Sequence, residues 1–480
     1  MENRQSMTGR AKLSYALGAV GKDMVYMLSA SYVLYYFQDV MGVSAIAMGA
    51  ILLAARVFDA FNDPVMGVIV ARTGTRWGRF RPWLLIGTLT NAAVLYLMFA
   101  APPAMDAAGL TAYAAVTYVL WGVTYTMMDI PYWSMIPALT ESGRERESLT
   151  TLARSAAGVG SALVSVLTVK LVQVLGAALG GANAREIEIV GFRYFSLGVA
   201  ALFVVFTLIM CANVRERSTA GMEAVSVGRM FGALLRNDQA MAVTVTIVLV
   251  NGALYITSNL VLYFFKYDFG GANWYDSYTL FTAFGGGVQI LSMMLLYPLL
   301  RNGLGLGNIR VFHVAMGMGA AGYAALLALT FTSMSGVLPL CLPALLIFAA
   351  NGVNSILTTV FLADAVDYGE LKNGRRDESV IFSMQTFVVK LASGLAAFVA
   401  SVCLQINRLS GAAVSEADKA VDFSASVSAG AKLGLRMTMA AVPVVLLALS
   451  FLWFRRRYVL TEEKAGEIAE KLRERRAAGT

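Results

Sequence analysis

The stretch 48–71 reads Met48-Gly-Ala-Ile-Leu-Leu-Ala-Ala-Arg56-Val-Phe-Asp59-Ala-Phe-Asn62-Asp63-Pro64-Val-Met-Gly-Val-Ile-Val-Ala71. Its length and apolar character predict a membrane-spanning helix, which needs about 20 residues to cross the hydrocarbon core of a bilayer. Each charge near the bilayer centre costs about 2.5–3.5 kcal/mol on insertion scales, so the charged residues here need a reason. Because they are three or four residues apart, Arg56, Asp59, Asn62 and Asp63 share one helix face. Acidic oxygens gathered inside a protein favour a hard monovalent cation or a proton as their ligand.

The composition of the whole chain extends this reading. Hydrophobic residues make up 58% of the 480 residues and charged residues only 14%, whereas a soluble chain carries about 25% charged residues. Apolar stretches of 18 or more residues recur along the whole length, which is typical of a helical membrane protein with many spans. The first of them begins near Lys12 and is too long for the core of a signal peptide, so we expect it to be a retained span.

The basic residues are concentrated in alternate loops. This is the pattern of the positive-inside rule and accounts for the net charge of +8 without a nucleic-acid partner. The intervening loops 39–45, 102–109 and 332–336 contain no basic residue. The pattern predicts that both termini are cytoplasmic and that the number of spans is even.

The cysteines and the single histidine give no sign of a cofactor. Cys211, Cys341 and Cys403 lie in apolar stretches without motif spacing, and we interpret them as small core residues. His313 has no cysteine or histidine near it in the sequence, so a structural role is favoured over a metal site. We expect no cofactor.

Twelve spans are predicted, and the expected fold is an all-α membrane protein. A polar stretch, 214–238, is expected to be a central cytoplasmic loop between bundles of six helices at 1–213 and 239–455. Residues 407–432 are expected to form an external loop, and the tail 456–480 a cytoplasmic helix capped by Thr461. The spans are expected near 13–37, 46–71, 82–101, 110–138, 150–176, 191–213, 239–265, 274–300, 310–332, 336–366, 379–406 and 433–455.

Two loop matches indicate that the halves are duplicates. Gly143-Arg-Glu-Arg-Glu-Ser148 resembles Gly374-Arg-Arg-Asp-Glu-Ser379, at an offset of 374 − 143 = 231 residues. The same offset carries Arg79 onto Arg310. Parallel six-helix halves are an architecture of secondary transporters, which bind their substrate between the halves near the midplane of the membrane.

Further polar residues interrupt other spans. They are Lys22 and Asp23 in the first, Tyr125, Asp129 and Trp133 in the fourth, Arg154 in the fifth, and Gln385, Thr386 and Lys390 in the eleventh. Acids, bases and aromatic rings together are what a sugar site needs, because charges bond hydroxyl groups and a ring stacks on the apolar face of a sugar. Each has a plainer alternative: Lys22 and Asp23 as a snorkelling pair, Arg154 as an interface anchor, and the aromatic residues as core.

Charges near the span ends form a third group. Asp364 and Asp367 lie close to the predicted cytoplasmic surface, as do Arg79, Arg144 and Arg310. Ion pairs among them could lock the inner side of a transporter. The alternative is ordinary charge at the membrane surface.

Six motifs together resemble one family, the glycoside–pentoside–hexuronide:cation symporters of the major facilitator superfamily. The resemblance covers nearly all of the chain except 407–432 and the tail. The motifs are Lys12-Leu-Ser-Tyr-Ala-Leu-Gly-Ala-Val-Gly-Lys-Asp23, Ala55-Arg-Val-Phe-Asp-Ala-Phe-Asn-Asp-Pro-Val-Met-Gly67, Arg76-Trp-Gly-Arg-Phe-Arg-Pro-Trp83, Trp121-Gly-Val-Thr-Tyr-Thr-Met-Met-Asp-Ile-Pro131, Ala363-Asp-Ala-Val-Asp-Tyr-Gly-Glu370 and Gln385-Thr-Phe-Val-Val-Lys390.

The resemblance implies a role for each position. A monovalent cation site (Na⁺, with Li⁺ or H⁺ as alternatives) is implied at Asp59, Asn62, Asp63 and Thr126. Galactoside-binding polar groups are implied at Lys22, Asp23, Asp129 and Arg154, and further pocket residues at Tyr125, Trp133, Gln385, Thr386 and Lys390. Arg56 is left as a neighbouring charge that makes the two acids of the second span tolerable.

The predicted function is therefore transport rather than catalysis. We expect cation-coupled symport of a glycoside by alternating access, performed by a single chain in the inner membrane of a bacterium. Two alternatives stay open at this point: a cation-coupled carrier of another substrate such as a lysolipid, and a sugar sensor that does not transport.

Overall fold

Every regular element among the residues that the structure, a computed structural model, describes is a helix. These are residues 7–140, 143–216, 227–271, 273–332, 336–374, 378–409 and 422–477. Their α-helices, in chain order, are α1 Gly9–Leu34, α2 Ala45–Arg72, α3 Arg81–Phe99, α4 Ala107–Ser134, α5 Ile136–Leu139, α6 Gly143–Ala178, α7 Ala184–Asn213, α8 Val227–Arg236, α9 Asp238–Phe264, α10 Trp274–Leu291, α11 Asn308–Thr330, α12 Leu338–Asn373, α13 Glu378–Ile406, α14 Ala429–Arg436, α15 Val442–Arg457 and α16 Glu462–Ala477.

Eleven helical segments among the described residues are long and apolar enough to cross a membrane. They correspond to the second to twelfth predicted spans, because hydropathy and length determine such segments directly. The remaining predicted span is α1. Its 26 residues correspond to about 39 Å of helix, but Lys22 and Asp23 interrupt its apolar character at the middle.

Several spans continue through a π-helical turn at one end. Tyr35–Val40 extends α1, Phe265–Phe269 extends α9, and Met437–Ala441 joins α14 to α15. The first two turns are alike: the Met41 amide donates to the Tyr36 carbonyl, and the Gly270 amide to the Phe265 carbonyl.

The chain divides into two compact units. The first comprises Met1–Ala224, Gly271–Thr279 and Arg408–Phe423, and the second comprises Val225–Gly270, Leu280–Asn407 and Ser424–Thr480. Of the predicted central loop, 217–226 lies outside the described residues, and α8 occupies 227–236, where no helix was predicted. Of the predicted external loop, 410–421 lies outside the described residues.

Small residues bring the helices of the first unit close together. A Cβ atom at Gly160 of α6 would collide with the Val20 carbonyl of α1, and one at Gly191 of α7 would collide with the Val172 carbonyl of α6. Small residues at helix interfaces are the usual means of packing spans tightly where lipid removes the hydrophobic driving force. Therefore α1, α6 and α7 form a tight group, and α2 and α3 pack against α4.

An aromatic cluster joins three spans of the second unit. The ring centroids of Phe312 and Phe454 are 4.4 Å apart, and Phe454 stacks on Tyr458 at 4.6 Å. Phe361 lies 5.0 Å from both Phe454 and Tyr458. Such pairs contribute about 0.5–1.5 kcal/mol beyond the area that they bury, so the cluster fixes α11, α12 and α15 together.

Candidate functional site

The polar face of α2 is largely buried in the first unit. Arg56 and Asp59 are buried, while Asn62 and Asp63 are partly buried. The Arg56 Nη1 atom lies 3.2 Å from Asp59 Oδ2, so Asp59 already has a positive partner within its own helix. The Asn62 Nδ2 atom is buried and has no hydrogen-bond partner among the described residues. A buried N–H donor in that state costs about 1–3 kcal/mol, which a ligand that accepts a hydrogen bond could offset.

Helix α4 faces these acids with small or hydroxylated residues. Thr126 Oγ1 donates to Asp63 Oδ1 at 2.9 Å. One turn earlier is Gly122, where a Cβ atom would lie 3.1 Å from Asp59 Oδ1. The structure therefore places Thr126 beside the α2 acids, as the resemblance implied. The role of Gly122 was not foreseen, although its spacing of four residues from Thr126 is a usable signal.

Lys22 is the centre of a second cluster, formed by α1 and α4. Its Nζ atom lies 2.7 Å from Asp129 Oδ1 and 3.0 Å from Asp23 Oδ2, and it donates to the Tyr125 hydroxyl at 3.1 Å. The Lys22 side chain is 4% exposed, whereas those of Asp23 and Asp129 are 19% and 27% exposed. This burial disagrees with a snorkelling pair at the membrane edge. The two carboxylates, rather than the ammonium group, are the accessible part of the cluster.

Trp133 and Arg154 extend this cluster by one helical turn. The Trp133 Nε1 atom donates to Asp129 Oδ1 at 3.1 Å. The Arg154 guanidinium carbon lies 4.0 Å from the centroid of the Trp133 ring, and Lys22 Nζ lies 5.1 Å from it. Two cations thus lie within the usual cation–π distance of one ring. We name Lys22, Asp23, Tyr125, Asp129, Trp133 and Arg154 the charged cluster.

Two aromatic residues between the two groups, Tyr118 and Trp121, were missed, whereas Tyr125 was predicted as a pocket residue. Tyr118, Trp121 and Tyr125 stack along one face of α4, with centroids 5.8 Å and 5.2 Å apart, and we name these three the aromatic row. At one end the Arg56 guanidinium carbon lies 6.0 Å from the Tyr118 ring, and at the other end Tyr125 accepts from Lys22. The row therefore runs from the α2 face to the charged cluster. Helical spacing from Tyr118 to Trp133 could have revealed it, but aromatic residues in an apolar helix resemble ordinary core.

The three predicted pocket residues of the eleventh span lie in the second unit. Gln385, Thr386 and Lys390 are all on α13, and Thr386 and Lys390 are one turn apart. Gln385 and Lys390 are partly buried and Thr386 is exposed. The Lys390 carbonyl accepts from the Ser393 hydroxyl at 2.7 Å.

The predicted gate residues have varied surroundings. Arg310 is exposed in the first turn of α11, Asp367 is partly buried, and the side chain of Arg144 lies outside the described part of the chain. Asp364 Oδ2 accepts from the Tyr458 hydroxyl at 3.4 Å. Burial, reinforced by the Asp364 charge, raises the pKa of Tyr458, so this phenol keeps its proton and donates.

Other contacts at these helix ends were not predicted. Lys372 pairs with Asp238 at 2.5 Å, and Arg301 pairs with Glu462 at 2.9 Å. The Glu216 carboxylate accepts from the backbone amide of Arg79 at 2.7 Å. Contacts of this kind join residues distant in sequence, so they carry no local signal.

Comparisons with known proteins agree with the motifs. The family model described as MFS/sugar transport protein matches residues 14–462. The chain is 28% identical to a lactose permease of Lactobacillus delbrueckii subsp. bulgaricus, over 96% of this chain and 72% of the relative. It is 30% identical to the putative glycoside/cation symporter YagG of Escherichia coli K12, over 98% of this chain and 96% of that one.

The fold is also similar to that of solved transporters. A bacterial homologue of the human lysosomal transporter Spinster superposes with a TM-score of 0.63 at 13% identity, covering 93% of this chain and 95% of that one. An identity this low supports the fold alone, whereas the family model covers most of the sequence. The chain therefore belongs to the sugar transport family of the major facilitator superfamily, and within it to the glycoside–pentoside–hexuronide:cation symporters that its motifs predicted.

Proposed function

We propose that this chain imports a glycoside together with a monovalent cation. The observation that carries the proposal is a junction on α4. Tyr125 contacts Lys22 of the charged cluster, and the next residue, Thr126, donates to Asp63 on α2. A polyol site and a cation site supported by consecutive residues of one helix are the arrangement that coupled transport needs. The names of the lactose permease and the glycoside/cation symporter point to the same activity.

The charged cluster has the chemistry of a sugar site. The Asp23 and Asp129 carboxylates accept from sugar hydroxyls, Arg154 donates to them, and Trp133 offers a ring for the apolar face of the sugar. Lys22 holds both carboxylates in place, which lowers the entropic cost of sugar binding. A lysolipid, the alternative substrate, has fewer hydroxyl groups than a sugar to donate to the accessible Asp23 and Asp129 carboxylates. We therefore favour a galactoside-like glycoside.

The cation is assigned to Asp59, Asn62, Asp63 and Thr126. Carboxylate, amide and hydroxyl oxygens suit a hard cation, and Na⁺, Li⁺ and H⁺ are the candidates. A cation here would relieve repulsion between Asp59 and Asp63 and would compete with Arg56 for Asp59. Because it also contacts the helix that holds Tyr125 and Asp129, it would favour sugar binding, and by linkage the sugar would favour the cation.

We further propose twelve spans in two repeated six-helix halves, with both termini cytoplasmic and one chain as the transport unit. The π-helical ends of α1 and α9 support the repeat. Tyr35-Tyr-Phe-Gln-Asp39 and Phe264-Phe-Lys-Tyr-Asp268 occupy equivalent turns, and both aspartates are buried, at an offset of 268 − 39 = 229 residues. This offset is within two residues of the 231 found in the loops. The bacterial relatives support a location in a bacterial inner membrane, and the basic loops support the proposed side of the termini.

Uptake into vesicles tests the proposal. Proteoliposomes that contain the purified protein, and no glycoside inside, are given labelled glycosides from outside. Gradients of Na⁺, Li⁺ or H⁺ are imposed one at a time. We expect accumulation of one glycoside class, driven by at least one of the gradients. If glycosides bind but do not accumulate under any of the three gradients, the protein is a sensor and the transport proposal is wrong.

A further inference from the structure

A second polar site lies in the first unit, apart from the charged cluster. A cavity of about 710 Å³ is bounded by the loop between α2 and α3 and by the segment that follows α7. Its lining includes Arg76, Trp77, Arg79, Arg81, Arg215 and Glu216. We name it the basic pocket.

The single carboxylate that lines the basic pocket, Glu216, already accepts hydrogen bonds from the backbone. The Glu216 side chain accepts from the backbone amides of Arg79, Phe80 and Arg81, at 2.7, 2.9 and 3.2 Å. It thereby caps the amino end of α3, where backbone N–H groups and the helix dipole attract an anion. Gly78 has a φ of +102°, and a Cβ atom there would collide with Glu216, so the loop is shaped around this carboxylate.

The arginines leave an excess of positive charge. Four guanidinium groups against one carboxylate give a formal charge of 4 − 1 = +3 in the pocket lining. Arg76 and Arg215 are exposed. Arg81 donates to the Val214 carbonyl, and its Nε atom is buried without a hydrogen-bond partner among the described residues. Guanidinium groups in this number match a phosphate, which accepts paired N–H donors.

The loop that carries these groups is held by its own hydrogen bonds. Thr75 Oγ1 donates to the Gly78 carbonyl at 2.7 Å and accepts from the Trp77 amide at 3.2 Å. The Trp83 Nε1 atom donates to Thr73 Oγ1 at 2.8 Å. The pocket is therefore formed before any ligand arrives, which lowers the entropic cost of binding.

We propose that the basic pocket binds the phosphate group of an anionic phospholipid. The loop joins two candidate spans, Ala45–Arg72 and Arg81–Phe99, so it lies at the level where a membrane surface begins. Trp77 is 62% exposed beside the arginines, and indole rings concentrate at the headgroup level of membranes. Basic residues at this level attract anionic lipids, and free phosphate is the competing source of the same chemistry.

Titration of purified protein with short-chain phosphatidylglycerol tests the site. The test variant is Arg76→Gln with Arg215→Gln, and the matched control is Arg455→Gln with Arg456→Gln, two exposed arginines at the end of α15. We expect the test variant to bind the lipid about 30-fold more weakly, which corresponds to about 2 kcal/mol for two arginines, while the control binds as the unchanged protein does. Arg76→Lys with Arg215→Lys keeps the charge and should bind at an intermediate strength.

Three results would overturn the proposal. One is equal weakening in the test and control variants, which would indicate diffuse charge rather than a site. Another is binding of short-chain phosphatidylcholine as tightly as phosphatidylglycerol. The third is displacement of the lipid by inorganic phosphate at similar concentration, which would assign the pocket to a free anion. Monodisperse elution and unchanged glycoside binding verify that each variant is folded, and the glycoside result is independent of this site.

Discussion

Asp129 connects the charges of the first unit to its aromatic residues. It pairs with Lys22 at 2.7 Å and accepts from the Trp133 indole at 3.1 Å, and its side chain remains 27% exposed. An accessible carboxylate that is fixed by two neighbours is well placed to bind a ligand hydroxyl. Removal of this carboxylate should weaken glycoside binding, whereas a change at the cation site should weaken cation binding.

We expect Asp129→Asn to weaken glycoside binding at least tenfold. The amide accepts less strongly than the carboxylate and leaves Lys22 with one acid instead of two, and hydrogen bonds to charged groups contribute about 1.5–3 kcal/mol. Cation binding, measured by calorimetry without sugar, should persist. Glu463→Gln, at an exposed position in the first turn of α16, is the control. An unchanged glycoside isotherm for Asp129→Asn would show that the charged cluster is not the sugar site.

Thr126 provides a test of the cation site that changes no charge. Thr126→Val keeps the side-chain shape but removes the donor to Asp63, whereas Thr126→Ser keeps the hydroxyl. We expect the valine variant to bind the cation about 5- to 10-fold more weakly, because a hydrogen bond contributes about 1 kcal/mol and a ligand oxygen is also lost. The serine variant should resemble the original protein. Equal cation affinities in the two variants would exclude this hydroxyl as a ligand.

At the scale of the element, α4 links the two sites. Thr126 contacts α2, Tyr125 and Asp129 contact α1, and the aromatic row connects Tyr125 to the ring beside Arg56. A cation that draws Asp59 away from Arg56 would alter the charge next to Tyr118. The stacked rings are the contiguous path by which that change would reach the charged cluster. Substitution of the central ring, Trp121, tests this path directly.

Trp121→Leu should reduce the coupling between cation and glycoside binding more than it reduces glycoside binding itself. We expect the ratio of glycoside affinities with and without saturating cation to fall at least threefold, because the row is interrupted between Tyr118 and Tyr125. Trp121→Phe keeps a ring and should preserve most of the ratio. The measurement is a glycoside isotherm at zero and saturating cation for each variant. If Trp121→Leu lowers the glycoside affinity equally at zero and at saturating cation, the ratio is unchanged and the aromatic row has only a structural role.

The sequence predicted the elements well where hydropathy controls them. The predicted span 46–71 corresponds to α2 at Ala45–Arg72, and 379–406 corresponds to α13 at Glu378–Ile406. It gave no signal for the π-helical turn at Tyr35–Val40, because all six of its residues are buried and no polar face reveals the additional residue. Helix α8 was missed because it was assigned with the surrounding polar stretch, although Met230, Phe231, Leu234 and Leu235 recur at helical spacing.

Some residues of the site were also predicted from the sequence, and others were not. Motifs located Lys22, Asp23, Asp129, Asp63 and Thr126, and the structure brings these into the contacts described. Their roles as ligands stay predictions. Glu216 was not found, because its partners are backbone amides 135–137 residues away. Motifs therefore identify side chains with unusual chemistry, while a cap between distant residues becomes visible only in three dimensions.

At the scale of the whole molecule, the prediction of a helical transporter of this family is confirmed. The polar stretch at 214–238 predicted a division into two halves, and this division, the number of spans and the side of the termini stay predictions. If one cation accompanies each sugar, the membrane potential supplies about 2.3 kcal/mol per 100 mV. A potential of about 150 mV would then sustain a glycoside gradient of a few hundredfold.

Uptake by three proteins in identical proteoliposomes tests cation coupling most directly. The original chain, Asp59→Cys and Asp63→Cys are compared under an inward cation gradient and an inside-negative potential, with glycoside binding measured alongside. We expect gradient-driven accumulation by the original chain only, while both variants keep measurable glycoside binding because the charged cluster is intact. Cation-driven accumulation that persists in both variants would contradict the assignment of the cation to α2 and α4.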